Sequence, residues 1–253
     1  MLVRIAGDIQ VRVPDSISCM TTYVLLEQED WFEDEIKFLR RAVSPGMQVI
    51  DVGANHGVYT LTCARQVGGS GRVWAFEPAS ATAGYLAESI SVNGFDNTSL
   101  VQVALSDRAG EAQLNIFPDS ETNSLVSNAG STGTETVELM TLDDCAEKYG
   151  WHDIDFLKLD AEGEEQRIIS GGKRFLESGS PLVMFELKHG RDVNHALVDE
   201  FRMLGNEPYR LLPGLHMLTP LESREQYDDY LLNVFCCKPD RACKLQEKGL
   251  LAG

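Results

Sequence analysis

Four acidic residues each stand at or near the end of a short apolar run, where a buried strand would finish. They are Asp51, Glu77, Asp160 and Glu186. The carboxyl ends of parallel strands lie along one edge of a sheet, and ligands bind at that edge, so we expect these acids to converge. A helix N-cap or an exposed surface acid explains any one of them alone, but four together indicate a shared site.

Residues 48–59, QVIDVGANHGVY, change from an apolar run to a glycine-spaced turn and then to helical periodicity. This order predicts a buried strand that delivers a tight turn to the N-terminus of a helix, a geometry that suits a nucleotide-like cofactor. Glycine at 53 and 57 would let the backbone pass close to a ligand, where a Cβ atom would collide. Many folds use such a turn, so it indicates only that a cofactor binds here.

Glu77 narrows the identity of the cofactor. It ends the next predicted strand, about 20 residues after the turn, where a carboxylate can accept both hydroxyl groups of a ribose. NAD-binding proteins carry an acid at this place, but their turn has the spacing GxGxxG. Here the spacing is Gly53-x-x-x-Gly57 with Asp51 just ahead. That form needs no pyrophosphate cradle, and Asp51 can approach the ammonium group of a methionine, so the residues favour S-adenosylmethionine (SAM) over NAD.

These residues need a sheet to position them, and the rest of the chain alternates apolar strands with helices. This alternation predicts an α/β fold with a parallel sheet covered on both faces. Residues 1–45 are expected to be an N-terminal extension, with a hairpin at 2–13 and a helix at 29–43, that serves as a lid or an interface. We also expect a strand at 100–105, β segments at 111–117 and 136–140, a long loop at 119–134, a helix ending near residue 177, and a tail beyond Lys238 that frays.

Composition excludes several classes of partner. The chain has 253 residues and a formal net charge of −17, which argues against a nucleic-acid partner and an anionic membrane surface. No apolar run approaches the roughly 20 residues of a membrane span, and the N-terminus lacks a signal-peptide core. The six cysteines have no CxxC spacing, which is typical of reduced thiols. We expect a cytoplasmic protein, a monomer or a homodimer, with a small-molecule substrate.

The segments DVGANHGVYT, FEP, ALSDRAG, TLDD and FLKLDAEGEE occur in this order between residues 51 and 165. Together they resemble the FkbM-type SAM-dependent methyltransferases, and FLKLDAEGEE is the most specific of them. The resemblance spans roughly residues 35–187. It implies the class I methyltransferase fold, a Rossmann-like three-layer sandwich whose seven-stranded, mostly parallel sheet has an antiparallel last strand. Residues 46–253 would then be the SAM-dependent methyltransferase domain.

The same resemblance implies contacts to SAM and an activity. The contacts would be Asp51, Gly53, Ala54, Asn55, Gly57, Glu77 and Asp160, with Ala104, Leu105, Ser106 and Asp107 beside the adenine. The activity would be O-methylation of a sugar or a secondary metabolite of the polyketide or macrolide kind, which converts SAM to S-adenosylhomocysteine (SAH). N-methylation of a similar molecule, an NAD-dependent oxidoreductase and a SAM-binding protein without catalysis are the alternatives. His56 occupies a position that is often aliphatic in the family and is given no catalytic role.

Methyl transfer to a hydroxyl group sets two tasks for the protein. The acceptor must be aligned with the S–CH₃ bond, and its proton must be removed by a base or with the help of a metal. Asp160 is the first candidate to contact the reacting end of SAM or the acceptor, followed by Glu186, His189 and Glu162. His189 is either a base or an ordinary surface histidine.

Two further features of this region have a plain structural explanation. Lys158 lies two residues before Asp160, on the same side of the strand, and a neighbouring acid is the simplest partner for a lysine in an apolar strand. The carboxylates of Asp160, Glu162 and Glu186 could hold Mg²⁺, since a hard cation binds oxygen ligands. Acids that hydrogen-bond SAM explain the same residues, so no metal is predicted.

Overall fold

The computed structural model describes residues 1–118, 120–126, 130–189, 192–193, 195–221 and 233–252. The strands are β1 Leu2–Ile5, β2 Ile9–Arg12, β3 Gln48–Val52, β4 Arg72–Phe76, β5 Thr98–Val101, β6 Ala104–Leu105, β7 Gly110–Ile116, β8 Gly133–Met140, β9 Phe156–Leu159, β10 Leu182–Glu186, β11 Lys188–His189, β12 Asp192–Val193, β13 Glu207–Leu212, β14 Met217–Pro220 and β15 Asn233–Cys237. The helices are α1 Met20–Gln28, α2 Asp34–Ala42, α3 Val58–Val67, α4 Ser80–Asn93, α5 Leu142–Tyr149, α6 Glu165–Gly171, α7 Lys173–Ser178, α8 His195–Met203 and α9 Pro239–Glu247.

The central sheet has eight strands in the order β14-β13-β15-β10-β9-β3-β4-β5. The strands from β10 to β5 pair in parallel, and β15 runs antiparallel to both of its neighbours. From β5 to β13 this is the class I methyltransferase sheet expected from the sequence, with an antiparallel last strand. The additional strand, β14, lies at the edge beside β13. The strand order reverses at β3, so the switch point of the sheet lies between β3 and β9, where ligands bind in such folds.

Helices cover both faces of the sheet because its central strands are apolar on both sides. Val49 and Ile50 of β3 belong to two different core clusters, as expected when successive side chains point to opposite faces. The first cluster includes Leu61 of α3, and the second includes Ile168 of α6 and Phe201 of α8. The result is a three-layer α/β sandwich.

The N-terminal extension packs into the first of these clusters. The predicted hairpin is present as β1 and β2, and its residues Ile5 and Val11 share a core cluster with Phe38 of α2 and Val49 of β3. The helix predicted at 29–43 begins only at Asp34, and α1 precedes it, a helix that the sequence did not indicate. The two helices are separate because α1 ends at Glu29, which has a φ of 54°.

Three other expectations need correction. The strand predicted at 100–105 is divided, since β5 joins the main sheet whereas β6 pairs with β8 in a second sheet, β6-β8-β7. The helix predicted to reach residue 177 breaks at Gly172 into α6 and α7. The tail expected to fray instead forms α9, which begins with a proline at its first position, and Leu250 and Leu251 after it are buried. The predicted 119–134 loop is described only at 120–126 and 130–134, and it ends earlier than expected because β8 begins at Gly133.

Candidate active site

A cavity of about 300 Å³ lies at the carboxyl ends of β3, β4, β9 and β10. Three of the four predicted strand-end acids, Glu77, Asp160 and Glu186, line this cavity. Asp51 does not line it and is buried, with 1% of its surface exposed. The structure therefore brings the four acids to one edge of the sheet, as their positions in the sequence indicated. Three of them line the cavity, and Asp51 is buried behind its wall.

Asp51 has a structural role, because both of its carboxylate oxygens contact other side chains of the protein. Its Oδ2 accepts a hydrogen bond from the Thr60 hydroxyl at 2.6 Å, and its Oδ1 lies 3.6 Å from Lys158 Nζ. The same ammonium lies 2.9 Å from Asp160 Oδ2 and donates to the Gly53 carbonyl oxygen at 3.3 Å. Burial alone would lower the pKa of Lys158, but the adjacent Asp160 and Asp51 outweigh burial and raise that pKa. Lys158 is therefore a charged, buried residue whose contacts connect β3, the turn after β3 and the end of β9.

The glycine turn is shaped by protein contacts rather than by the approach of a ligand. Gly53 has a φ of 73°, and a Cβ atom there would lie 1.7 Å from the Asp160 carbonyl oxygen. Gly57 has a φ of 92°, and a Cβ atom there would lie 2.3 Å from a methyl carbon of Leu86. The space that the two glycines leave is thus filled by the chain itself, which corrects the interpretation of these residues drawn from the sequence.

Glu77 is held by this turn in a position that fits a ribose. Its Oε2 accepts the Asn55 N–H and its Oε1 accepts the Ala79 N–H, each at 2.9 Å. Each carboxylate oxygen keeps a further lone pair, so hydroxyl groups in the cavity can still donate to it. Burial raises the pKa of Glu77 to about 7. A nucleoside with two adjacent hydroxyl groups would satisfy this buried carboxylate.

The other predicted cofactor contacts divide into two sets. Those that line the cavity are Gly53, Ala54, Asn55, Gly57, Ala104, Leu105 and Asp160. Ser106 and Asp107 do not line it, and the buried Ser106 hydroxyl donates to Glu164 Oε2 at 3.0 Å. The apolar side chains of Val103, Leu105 and Leu114 complete the wall on the β4 side, where an adenine ring would pack. The residues present therefore fit SAM, with its nucleoside on this side.

A group of three carboxyl residues occupies the β9–β10 side. One carboxylate oxygen from each of Asp160, Glu162 and Glu186 lies within 4.8 Å of the other two. Burial first, and repulsion by Asp160 second, raise the pKa of Glu162 to about 8 and that of Glu186 to about 9. Both residues therefore hold a proton at neutral pH and can donate hydrogen bonds to a ligand.

The N-terminal extension supplies cavity residues that the sequence did not reveal. Trp31, Phe32 and Glu33 all line the cavity, and the Glu33 carboxylate accepts a hydrogen bond from the Tyr59 hydroxyl. The Tyr59 ring in turn lies over Lys158, with the ammonium 5.2 Å from its centroid, within the range of a cation–π interaction. No motif marks Glu33, because it precedes a helix within a run of three acids, 33–35.

Residues 120–126, between β7 and β8, cross the cavity and contact three of its parts. Ser120 donates to the Asn55 side chain at 3.1 Å, and Thr21 of α1 donates to Glu121 at 2.5 Å. Ser124 donates to the Glu162 carbonyl oxygen at 2.7 Å. This segment thus connects the cofactor turn, the N-terminal extension and the loop after β9.

The two histidines His56 and His189 lie in different surroundings. The backbone of His189 lies in β11, opposite Asp192 of β12, but its side chain lies outside the described part of the structure. His56 is buried beside Tyr85, with ring centroids 5.6 Å apart, and burial lowers its pKa to about 4. It is therefore neutral at physiological pH, and it is still given no catalytic role.

Comparisons with known proteins agree with this geometry. The family model of the methyltransferase FkbM domain matches residues 51–210. Comparison with curated protein sequences finds no match. Among the helices of the described segments, none has the length and apolar composition needed to cross a membrane.

The solved structures to which the chain is similar include methyltransferases. The chain is similar to an FkbM methyltransferase from Methylobacillus flagellatus, with 15% identity, a TM-score of 0.51, and coverage of 89% of this chain and 56% of that chain. A SAM-dependent O-methyltransferase from Thermotoga maritima has 15% identity and a TM-score of 0.45, with coverage of 94% and 77%. An rRNA methylase from Streptococcus thermophilus has 13% identity and a TM-score of 0.45, with coverage of 81% and 93%.

Proposed function

The chain belongs to the FkbM methyltransferase family and is a SAM-dependent methyltransferase, and from that premise we propose that it methylates a hydroxyl group of a sugar or of a secondary metabolite such as a macrolide. The observation that carries the proposal is the division of the cavity. Its β4 side offers the Glu77 carboxylate and an apolar wall to a nucleoside, and its β9–β10 side offers carboxyl groups and aromatic rings to an acceptor. Asp160, on the acceptor side, follows β9, which pairs with β3 as well as with β10.

On the cofactor side, Glu77 would hold the ribose, and the turn from Gly53 to Gly57 would enclose the methionine part. SAM, when bound, supplies a methyl group on a sulfonium, which is already activated toward a nucleophile. Asp160, fixed at 2.9 Å from Lys158, would contact the reacting end of the cofactor or the acceptor. What the chain must add is alignment of the acceptor and removal of its proton.

On the acceptor side, Glu186 and Glu162 would donate hydrogen bonds to acceptor oxygens, because both retain protons at neutral pH. Trp31 and Phe32, whose ring centroids are 5.0 Å apart, would pack against the apolar face of a sugar or a macrolide ring. Residues 1–45 would therefore act as a lid over the acceptor. His189, which follows β10, belongs to the same proposal as a candidate base.

The test is methyl transfer from radiolabelled SAM to a panel of hexoses, deoxyhexoses and macrolides, with mass spectrometry to locate the new methyl group. We expect an O-methylated product from one class. Asp160→Ala should abolish transfer while isothermal titration shows that SAM still binds, and retained turnover would remove Asp160 from the mechanism. The same titration with NAD should show no binding, and binding of NAD without SAM would contradict the proposal.

One observation favours N-methylation as a second candidate. The described lining of the cavity contains several carboxyl residues and a single lysine, Lys158, so it suits an acceptor that carries an amine. The carboxyl residues are Glu33, Glu77, Glu121, Asp160, Glu162, Glu164 and Glu186. Amino sugars therefore belong in the same panel, and a product methylated only on nitrogen would replace the first candidate with the second.

A further inference from the structure

We propose, on the basis of the function proposed above, that Glu33 of the N-terminal extension is the general base that removes the proton of the acceptor hydroxyl, and that Tyr59 is the positioning residue that orients it. The extension would then be part of the catalytic machinery as well as a cover. Neither residue was a candidate in the sequence, and the proposal depends on where the start of α2 lies.

Glu33 lies on the acceptor side of the cavity. It immediately precedes α2 and lines the cavity together with Trp31 and Phe32. Two residues further on, the Glu35 carboxyl lies beside Asn233, and Asn233 is the register partner of Glu186 across β10 and β15. The start of α2 therefore lies over the strands that form the acceptor side, away from Glu77 on β4.

Four of the other carboxyl groups that line the cavity are engaged in ways that make them poorer bases. Asp160 accepts from the buried Lys158 ammonium at 2.9 Å, so one of its oxygens already binds a cation. Glu162 and Glu186 lie within 4.8 Å of Asp160, and carboxyl groups so close together cannot all lose their protons. Glu77 is held by two backbone N–H groups on the cofactor side.

Glu33, by contrast, is held by a neutral partner. The Tyr59 hydroxyl donates to it, and Tyr59 is itself fixed by its ring over Lys158. Burial is the largest influence on the pKa of Glu33 and raises it. The Tyr59 hydrogen bond opposes this, Asp160 raises the pKa further, and the Trp31 side chain and Lys158 lower it, with a raised pKa as the result. From its own helix turn, Glu35 faces it as well. A carboxylate held by an orienting group is the usual arrangement for proton transfer.

The step balances without another reactant. The acceptor oxygen forms a bond to the methyl carbon, and the S–CH₃ bond breaks with its electron pair remaining on sulfur. The acceptor proton passes to the Glu33 carboxylate and leaves to solvent once the methylated product is released.

The first experiment compares wild type with Glu33→Gln, which keeps the size of the side chain and an oxygen that can accept from Tyr59. We expect kcat with the acceptor found in the panel to fall by about 10²–10⁴-fold, with KM and the SAH dissociation constant changed by less than about threefold. Asp34→Asn is the matched control, since Asp34 lies next in the chain and pairs with the exposed Lys37 at 2.7 Å, and it should keep the wild-type kcat. An unchanged kcat in Glu33→Gln, or a loss of SAH affinity by tenfold or more, would overturn the proposal.

Tyr59→Phe tests the positioning role. Without the hydroxyl group the Glu33 carboxylate loses a hydrogen bond to its charged form, so its pKa rises. We expect the acidic limb of the kcat/KM profile to move to higher pH, together with a lower kcat. A lower kcat with an unmoved acidic limb would show that Tyr59 acts only through packing.

A third measurement needs no acceptor. Carbon-13 spectra of protein labelled at the glutamate carboxyl carbon, with the Glu33 signal assigned by its loss in Glu33→Gln, give the pKa of Glu33 in the SAH complex. We expect a pKa above the ordinary value of about 4.3, and an ordinary or lower one would overturn the assignment. If wild type methylates nothing in the panel, the function proposed above fails, and this titration still decides whether Glu33 has the environment of a base.

Discussion

Replacement of Lys158 by methionine tests whether this lysine is chiefly a structural cation. Its ammonium lies between Asp51 and Asp160 and is buried, with 4% of the side chain exposed. Methionine fills a similar volume but leaves the buried Asp51 carboxylate without a counter-charge. We expect Lys158→Met to have a lower free energy of unfolding than wild type at pH 8. The main cause would be the uncompensated buried charge of Asp51, and the lost contact would be a smaller one.

The magnitude follows from the distances. At 3.6 Å and an effective dielectric constant of about 20, the attraction between Lys158 and Asp51 is about 5 kcal/mol. Asp160 adds less because 37% of its side chain is exposed and solvent screens the pair. Allowing for the desolvation of the ammonium, which methionine avoids, we expect the free energy of unfolding to fall by about 3–5 kcal/mol.

Urea denaturation at pH 8 and pH 5 measures the effect. In wild type the pKa of Lys158 is raised above its unfolded value of about 10.4, so its contribution is complete below that pH and is lost only when the pH rises through the folded pKa. The wild-type contribution is thus constant from pH 5 to 8. Lys158→Met should therefore be less stable than wild type at both pH values.

Two controls make the test specific. Lys37→Met removes an exposed ion pair at 2.7 Å and should change stability by less than about 1 kcal/mol. Adding Asp51→Asn to Lys158→Met should restore part of the loss, because it removes the stranded charge. A Lys158→Met protein that is as stable as wild type at both pH values would refute the structural assignment and make Lys158 a functional residue.

Three further predictions follow from the cavity and its turn. Gly53→Ala places a Cβ atom 1.7 Å from the Asp160 carbonyl oxygen and should lower the free energy of unfolding by at least about 2 kcal/mol, whereas Gly84→Ala in α4, where nothing lies within 4 Å, should raise it by about 0.5–1 kcal/mol in the same urea titrations. Glu77→Gln should weaken SAM binding by about 10–100-fold in calorimetry, and unchanged binding would remove Glu77 from the cofactor site. Because the pKa of Glu186 is raised to about 9, the folded protein holds more protons than the unfolded chain between about pH 4.5 and 9, and stability falls as pH rises through this window. Glu186→Gln should therefore be stabilised relative to wild type at pH 9 but not at pH 4, and parallel pH profiles would contradict this.

The sequence predicted best those positions that follow directly from the order of strands along the chain. Strand-end acids such as Asp51 and Glu186 meet at one edge because parallel strands end together, so their convergence could be predicted from order alone. Their roles could not, since whether an acid faces a cavity or a lysine depends on neighbours from other strands. Glu33 reaches the cavity only because α2 starts where it does, and no local pattern encodes that distance.

The C-terminal segment was predicted least well for a related reason. The segment after Lys238 is polar apart from a few leucines, which suggested that it frays. Leu245, Leu250 and Leu251 are nevertheless buried, and Leu251 forms a parallel β-bridge with Leu218 of the edge strand β14. Whether isolated apolar residues of this kind are buried can be predicted only when the surface that they pack against is known.

The packing of the N-terminal extension has a consequence for how acceptor preference changes among relatives. The Phe38 ring of α2 packs edge-on against Phe235 of β15, with centroids 5.1 Å apart, and the hairpin residues share a core with β3. A segment that lines the cavity is thus also part of the hydrophobic core. We expect a chimera that exchanges residues 1–45 alone to lose thermal stability and one that exchanges the matching β15 residues as well to regain it, so that new specificity and the core that supports it are inherited as one unit.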